Sequence, residues 1–261
     1  MSIKCQRIIY KLAKLNVFNF LSDERYLKMC HFLFLSKKPD LEKPVGFNDK
    51  IQWLKLNDRK EEYTKLVDKV TVRQYISKYF GEKYLIPIYG IYENFDDINF
   101  NELPQQFVLK CNHDSGGVII CKDKSRFDIL KAKKKINKIL KRNYYLIGRE
   151  YPYKNVKPKI LIEKYMTNSE NKELMDYKLF CFNGKVKMIL VCSNRSVNLN
   201  KTFFDTDWNF IDLIEGNHPN DKLIKKPKHL SEMIEMAEKI AINKKFVRVD
   251  FYEIDEKMYF G

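Results

Sequence analysis

Residues 107–117, Phe107-Val-Leu-Lys-Cys-Asn-His-Asp-Ser-Gly-Gly117, form an apolar run that ends in a lysine and opens directly into a small polar loop closed by two glycines. Few local folds satisfy that pattern. Phe107, Val108 and Leu109 have the β-branched and aromatic character of a buried strand, and Val118-Ile-Ile-Cys121 resumes it, so the unit reads as strand, turn, strand. Lys110 places a cation at the strand end. Glycine permits backbone angles closed to other residues, so the N–H groups around Ser115, Gly116 and Gly117 can form an anion-binding nest. The arrangement suits a nucleotide phosphate and equally an ordinary hairpin with a glycine bulge; the segment alone does not choose.

Composition sets the outer bounds. The 261 residues are 44% hydrophobic and 14% aromatic, enough for a large folded core even though 32% are charged. A net charge of +15 predicts attraction to polyanions, whether nucleic acid, anionic lipid, acidic polysaccharide or nucleotide phosphate. Part of that charge lies in Lys131–Arg142, where Ile129, Ala132, Ile136 and Ile139/Leu140 recur at helical spacing and the lysines occupy the other face. The reading favoured there is a solvated helix face. No basic-aromatic RNA motif, zinc finger or paired recognition helix accompanies it, so no specific nucleic-acid partner is expected. The cysteines at 5, 30, 111, 121, 181 and 192 form no CxxC pair and read as reduced, mostly buried thiols of a cytoplasmic protein. Histidines 31, 113, 218 and 229 are scattered without metal-ligand spacing, so no zinc site is expected.

No stretch approaches the roughly 18 consecutive apolar residues of a membrane-spanning helix; the longest apolar cluster is His31-Phe-Leu-Phe-Leu35. The N-terminus lacks the cleavage site of a secretory signal. Lys4, Arg7, Lys11 and Lys14 do alternate with Ile8, Leu12 and Leu15 at helical spacing, making residues 3–15 a basic amphipathic helix. Such a helix either packs on the body of the protein or makes peripheral contact with the inner face of a membrane.

Helices are expected over 1–38, from a cap at Asn48 or Asp49, and over 67–79 with Gly81 as its stop. Tyr84–Tyr89 reads as extended ahead of a turn at Gly90, followed by the 107–121 hairpin and the basic helix of 126–142. Strands then follow at 159–163, 177–182 and 186–192, the last two joined by Asn183-Gly184, a tight-hairpin signal because both residues tolerate positive φ. A helix over 230–243 precedes strands 246–252 and 257–260. The fold class is α+β, with antiparallel strands and helices on their outer faces.

Taken in order, Asp68-Lys69, Lys110 before the glycine loop, Ile162-Glu-Lys-Tyr-Met166, Asp176-Tyr-Lys178 and Val247-Arg-Val-Asp-Phe-Tyr252 resemble the ATP-grasp superfamily. Within it they are most similar to the TupA-like branch, associated with cell-surface polysaccharide and teichuronopeptide biosynthesis. The resemblance covers roughly residues 44–261. It implies two lobes of antiparallel sheet with flanking helices around a nucleotide cleft: an N-terminal helical segment over 1–43, an N-terminal lobe over 44–105, a small lobe with the phosphate loop over 106–166, and a large lobe over 167–261. The implied cofactors are ATP and Mg²⁺. The implied reaction activates a carboxylate as an acyl phosphate and passes it to an amine, with an acidic polysaccharide or small carboxylate as substrate.

On the same resemblance, Lys69 and Lys110 hold the α- and β-phosphates, and the loop containing Asn112, His113, Ser115, Gly116 and Gly117 closes over them. Glu163, Lys164, Tyr165 and Met166 form the hinge that meets adenine and ribose. Lys178 faces the γ-phosphate, Asp250 is the first magnesium carboxylate, and Arg195 and Arg248 clamp the transferring phosphoryl group or the substrate carboxylate. This inventory suits phosphoryl transfer, where cations and metal rather than a protein nucleophile stabilise the charge.

In the superfamily the strand corresponding to Lys257–Gly261 continues into a glutamate and a further oxygen ligand, whereas this sequence ends at Gly261. The expectation for the chain as it stands is weak nucleotide binding and slow or absent turnover. Two other functions compete: a metal-dependent glycosyltransferase using Asp205-Thr-Asp207, which also makes an ordinary turn, and a non-catalytic polyanion- or membrane-binding relative of the fold.

Overall fold

The computed structural model describes residues 3–168, 174–195 and 197–261. It divides into two compact units, one of residues 1–75 and 88–164, the other of residues 76–87 and 165–261.

The first unit begins with helices α1 (Ile3–Lys14), α2 (Asp23–Leu35), α3 (Phe47–Asn57), α4 (Glu62–Val67) and α5 (Thr71–Tyr79), the chain passing into the second unit within α5 and returning at Ile88. Strands β1 (Ile88–Tyr92), β2 (Phe107–Cys111) and β3 (Ile119–Cys121) follow, then α6 (Ile129–Leu140), the single turn α7 (Tyr145–Gly148) and β4 (Ile160–Lys164). The sheet order is β1-β4-β2-β3, antiparallel throughout. Strand alternation sends Phe107, Leu109 and Cys111 to one side, where they pack with Ala132, Ile136 and Ile139 of α6. The α6 start is set by Asp128, whose carboxylate accepts the Lys131 N–H at 2.8 Å. The lysines of α6 lie on its outer face, as its apolar period requires.

In the second unit β5 (Asp176–Phe182), β6 (Lys185–Ser193), β7 (Asn200–Phe204), β8 (Phe210–Ile211), α8 (Leu230–Ala241), β9 (Phe246–Ile254) and β10 (Lys257–Phe260) build an antiparallel sheet of order β10-β9-β5-β6-β7-β8. Helix α8 covers one face, with the Cys181 thiol reaching the Ala237 carbonyl at 3.8 Å. Asn183 and Gly184 both adopt positive φ, 49° and 81°, which matches the right-handed twist of the β5–β6 hairpin.

Four expectations are corrected. The helix expected over 67–79 begins only at Thr71, because Asp68 turns the chain into it: its carboxylate accepts the Val70 N–H at 2.8 Å and its carbonyl the Val72 N–H at 2.9 Å. Gly90 is not a turn; it sits inside β1 at a register shift opposite β4, where a Cβ would come within 2.5 Å of the Tyr92 ring. The packed side of α1 is Ile9 and Ala13, while Ile8 and Leu15 of the expected stripe are 55% and 70% exposed. The small Ala13 is what lets α1 approach Tyr26 and Leu27 of α2. Strands β7 and β8 have no counterpart in the sequence reading, being short and lacking a clean alternation.

Candidate functional site

In the first unit the functional groups gather at the end of β2 and on the adjoining turn. Lys110 lies on the β2 face opposite α6, with Val108 beside it and Glu163 of β4 paired opposite Val108, so Lys110 reaches Glu163 diagonally, Nζ to Oε2 at 2.5 Å. Arg73 stands one helical turn from Lys69 and places Nη1 at 3.9 Å from the other Glu163 oxygen. Helical spacing from Lys69 was the available signal for Arg73, and the sequence reading did not use it. Lys69 donates from its ammonium to the carbonyls of Asp114 at 2.7 Å and Asn112 at 3.2 Å. Burial, reinforced by the neighbouring Lys110 charge, draws its pKa down from 10.5 to about 8.

The loop itself is fastened from behind. Asn112 is fully buried and donates to Asp68 Oδ1 at 2.8 Å and the Lys157 carbonyl at 3.0 Å, while its own oxygen accepts the Lys159 N–H at 2.7 Å. His113 is buried with Nε2 at 3.2 and 3.1 Å from the carbonyls of Ile139 and Arg142, and burial pushes its pKa down. Asp114, absent from the sequence-derived site, accepts from Arg142 Nη1 at 3.2 and 3.0 Å. The Asn112 and His113 side chains are thus both engaged inside the protein, and the loop offers a ligand its backbone instead. Ser115 is exposed, Gly116 has φ of 80° with open space around it, and a Cβ on Gly117 would meet Asp114 Oδ2 at 2.8 Å and Ile139 Cδ1 at 2.9 Å. Among the described residues the N–H groups of 115–117 donate to no protein acceptor. Glu163 is buried and Lys164 exposed, and the chain enters the second unit at Tyr165, with Met166 next and both half-buried.

In the second unit alternation along β5 sends Tyr177, Leu179 and Cys181 inward, and leaves Asp176 and Lys178 on the sheet face away from α8. Asp250 of β9 lies opposite Lys178 in the ladder. Lys178 Nζ donates to Asp176 Oδ2 at 2.5 Å and Asp250 Oδ2 at 2.7 Å, and Arg248 binds Asp250 through Nε at 2.7 Å and Nη2 at 2.9 Å. Arg195 donates to Asp176. Burial would raise the Asp250 pKa, but the Arg248 and Lys178 charges outweigh it and hold the carboxyl below its ordinary range. Asp176 Oδ1 is buried with no hydrogen-bond partner among the described residues. Three cations around two carboxylates leave an excess of positive charge on this face, suited to an anionic ligand.

A sequence model of the family described as TupA-like ATPgrasp matches residues 49–261. The chain belongs to the TupA-like ATP-grasp family. A search of curated proteins found no match. Among solved structures it is similar to D-alanine–D-alanine ligase from Bacillus anthracis complexed with ATP, at 21% identity and TM-score 0.41, over 74% of this chain and 53% of that one. It is also similar to N5-carboxyaminoimidazole synthetase from Staphylococcus aureus complexed with ADP, at 14% identity and TM-score 0.42, over 75% and 43%. A third is the ATP-grasp ligase PsnB complexed with minimal precursor, Mg and ADP, at 8% identity and TM-score 0.39, over 82% and 56%. The chain spans about half the length of these structures.

For this TupA-like chain the family implies nucleotide and magnesium. Magnesium favours oxygen ligands and keeps several waters, using one or two carboxylates and substrate phosphates. Asp250 and Asp176, with the unpartnered Asp176 Oδ1, fit such a donor set. Among the described residues no group of three or more His, Cys, Asp or Glu side chains gathers as a self-sufficient metal cage, and no helix is long and apolar enough to cross a membrane.

Proposed function

We propose that this protein is an ATP-dependent carboxylate–amine ligase acting in the biosynthesis of a cell-surface polysaccharide or related polymer, on the cytoplasmic side of the membrane. The observation that carries the reading is the 112–117 loop. Its N–H groups at 115–117 are unengaged among the described residues, and the half-buried Lys69 ammonium sits on its carbonyls with a depressed pKa, a pair of features that a phosphate would satisfy.

In the proposed reaction a substrate carboxylate oxygen attacks the γ-phosphorus of ATP, the bond to the bridging oxygen breaks, and ADP leaves. The amine then attacks the acyl phosphate carbon, expelling inorganic phosphate and releasing a proton as the amide forms. Lys69, Lys110 and the loop N–H groups bind the nucleotide phosphates, with Ser115 beside them. Glu163, Lys164, Tyr165 and Met166 meet adenine and ribose. Lys178 stabilises charge on the transferring group, while Arg195 and Arg248 orient the substrate carboxylate. Magnesium, held by Asp250 with Asp176, would supply neutralisation of phosphate oxygens. An acidic polysaccharide substrate accords with the +15 net charge.

Thermal-shift titration with Mg-ATP beside Mn-UDP-sugars tests the reading, since a ligand that binds the native state raises apparent stability. Stabilisation by Mg-ATP that Lys110→Ala abolishes is expected. Stabilisation by a UDP-sugar alone would replace the ligase with a transferase. Nothing at Asp205-Thr-Asp207 favours the latter: Asp205 accepts from the N–H groups of Asp207 at 2.9 Å and Asn209 at 2.7 Å, closing the β7–β8 turn with its own carboxylate.

A further inference from the structure

Away from every residue assigned above, α1, α2, α3 and the α7 segment line a cleft of about 360 Å³, within the range of small-molecule sites. Ile9, Ala13, Tyr26, Leu27 and Ile147 give it apolar walls, and Phe34 and Leu35 line it while remaining 43% and 48% exposed. Lys55 of α3 enters the same cleft. Arg59 uses the Lys55 carbonyl, but the ammonium itself has no hydrogen bond or ion pair among the described residues. Burial pushes its pKa down; Glu150 and Cys30, which line the same cleft, oppose that shift, Glu150 from beyond ion-pair distance. His31 also lines the cleft, with Nδ1 at 2.7 Å from the Lys37 carbonyl and Nε2 facing Asp49 at 3.3 Å without a hydrogen bond among the described residues.

A half-buried cation set against apolar walls without an ion-pair partner is only partly solvated, and an anion supplied from outside completes its solvation. A neutral apolar ligand would leave the ammonium unpaired, and a free inorganic anion would leave the apolar walls wet. We propose that the cleft binds an anionic amphiphile, its alkyl chain against Ile9, Ala13, Leu27 and Phe34 and its carboxylate or phosphate head on Lys55. This assignment is independent of the ligase reading, because none of these residues belongs to the nucleotide or carboxylate sites.

The test is displacement of the fluorescent fatty acid cis-parinaric acid from the full chain by dodecanoate, dodecyl phosphate and neutral dodecanol. Expected is displacement by both anions, weakened at least tenfold in Lys55→Met, with dodecanol weak and insensitive to that substitution. Ala13→Phe, which fills the cleft, should weaken all three, and Lys110→Ala should change none. Lys55→Met removes a half-buried charge that holds no ion pair and is expected to fold, so it decides the matter if Ala13→Phe does not. Absence of binding, equal displacement by dodecanol and dodecanoate, or no loss in Lys55→Met would each overturn the proposal. Preference for the phosphate head would assign a phospholipid-derived ligand, and preference for the carboxylate a free fatty acid.

Discussion

Lys178 stands opposite Asp250 across the β5–β9 ladder and donates to its Oδ2 at 2.7 Å, while the same ammonium holds Asp176 at 2.5 Å. Because Arg248 and Lys178 keep the Asp250 pKa below 3.8 against the opposing effect of burial, the ionised carboxylate contributes stability that is present above that value and is lost as pH falls through the folded pKa. Asp250→Asn should therefore cost about 2 kcal/mol at neutral pH, by leaving part-buried cations unpaired. The difference from wild type should shrink in acid, as measured by urea unfolding at several pH values. The variant should also lose magnesium-dependent stabilisation by ATP.

Lys69 yields a prediction at the alkaline end. Its folded pKa of about 8 lies below the ordinary 10.5, so between those values the unfolded chain binds the proton more tightly. Stability should climb as pH rises from about 8 toward 10.5, and Lys69→Met should reduce that climb. A bound phosphate raises the pKa again. Calorimetric titration of Mg-ATP near pH 8.5 should thus show proton uptake, read from the dependence of the heat on buffer ionisation enthalpy, and Lys69→Met should remove it.

Asp114 and Arg142 tie the glycine loop to the end of α6, with the Asp114 side chain 1% exposed and that of Arg142 18%. Asp114→Ala should cost roughly 2–3 kcal/mol in urea unfolding, as expected for a buried pair partly open to solvent. Amide exchange at residues 112–117 should accelerate more than the global change explains.

Glu256 has φ of 61° in the two-residue turn between β9 and β10, a conformation costing a residue with a Cβ about 1 kcal/mol. Its pair with Lys228 is exposed and contributes little. Glu256→Gly should raise the thermal unfolding midpoint slightly, relief of the left-handed backbone outweighing the added freedom of glycine in the unfolded chain, with nucleotide binding unchanged.

Legibility followed locality. Helix α6 and strands β2, β5, β6 and β9 were readable within a few residues, because their apolar periods and the Asn183-Gly184 turn are local properties. The order of Lys69, Lys110, Glu163, Lys178 and Asp250 was readable as a family pattern, and the structure pairs Lys110 with Glu163 and Lys178 with Asp250. Asp176 lay inside a recognised motif but was not assigned a role; its part emerges only when β5 is laid beside β9 and the 193–195 turn. The separate helix α4 ahead of Asp68 and the start of α5 at Thr71 were not readable, because the side-chain hydrogen bond that sets the boundary is not encoded in the apolar period.

The sequence by itself determined where strands turn, which residues of each strand share a face, and which cations and carboxylates are available, since these follow from backbone sterics and from periods of 2 and 3.6 residues. Tertiary structure decided which of them meet. Asn112 and Asp68 are 44 positions apart, Asp114 and Arg142 28, and Lys178 and Asp250 72, and each pair forms only where packing and strand register bring the chain back on itself. The same packing turned Asn112 and His113 inward and left Lys55 without a partner, outcomes set by burial, which a local pattern of residues does not carry.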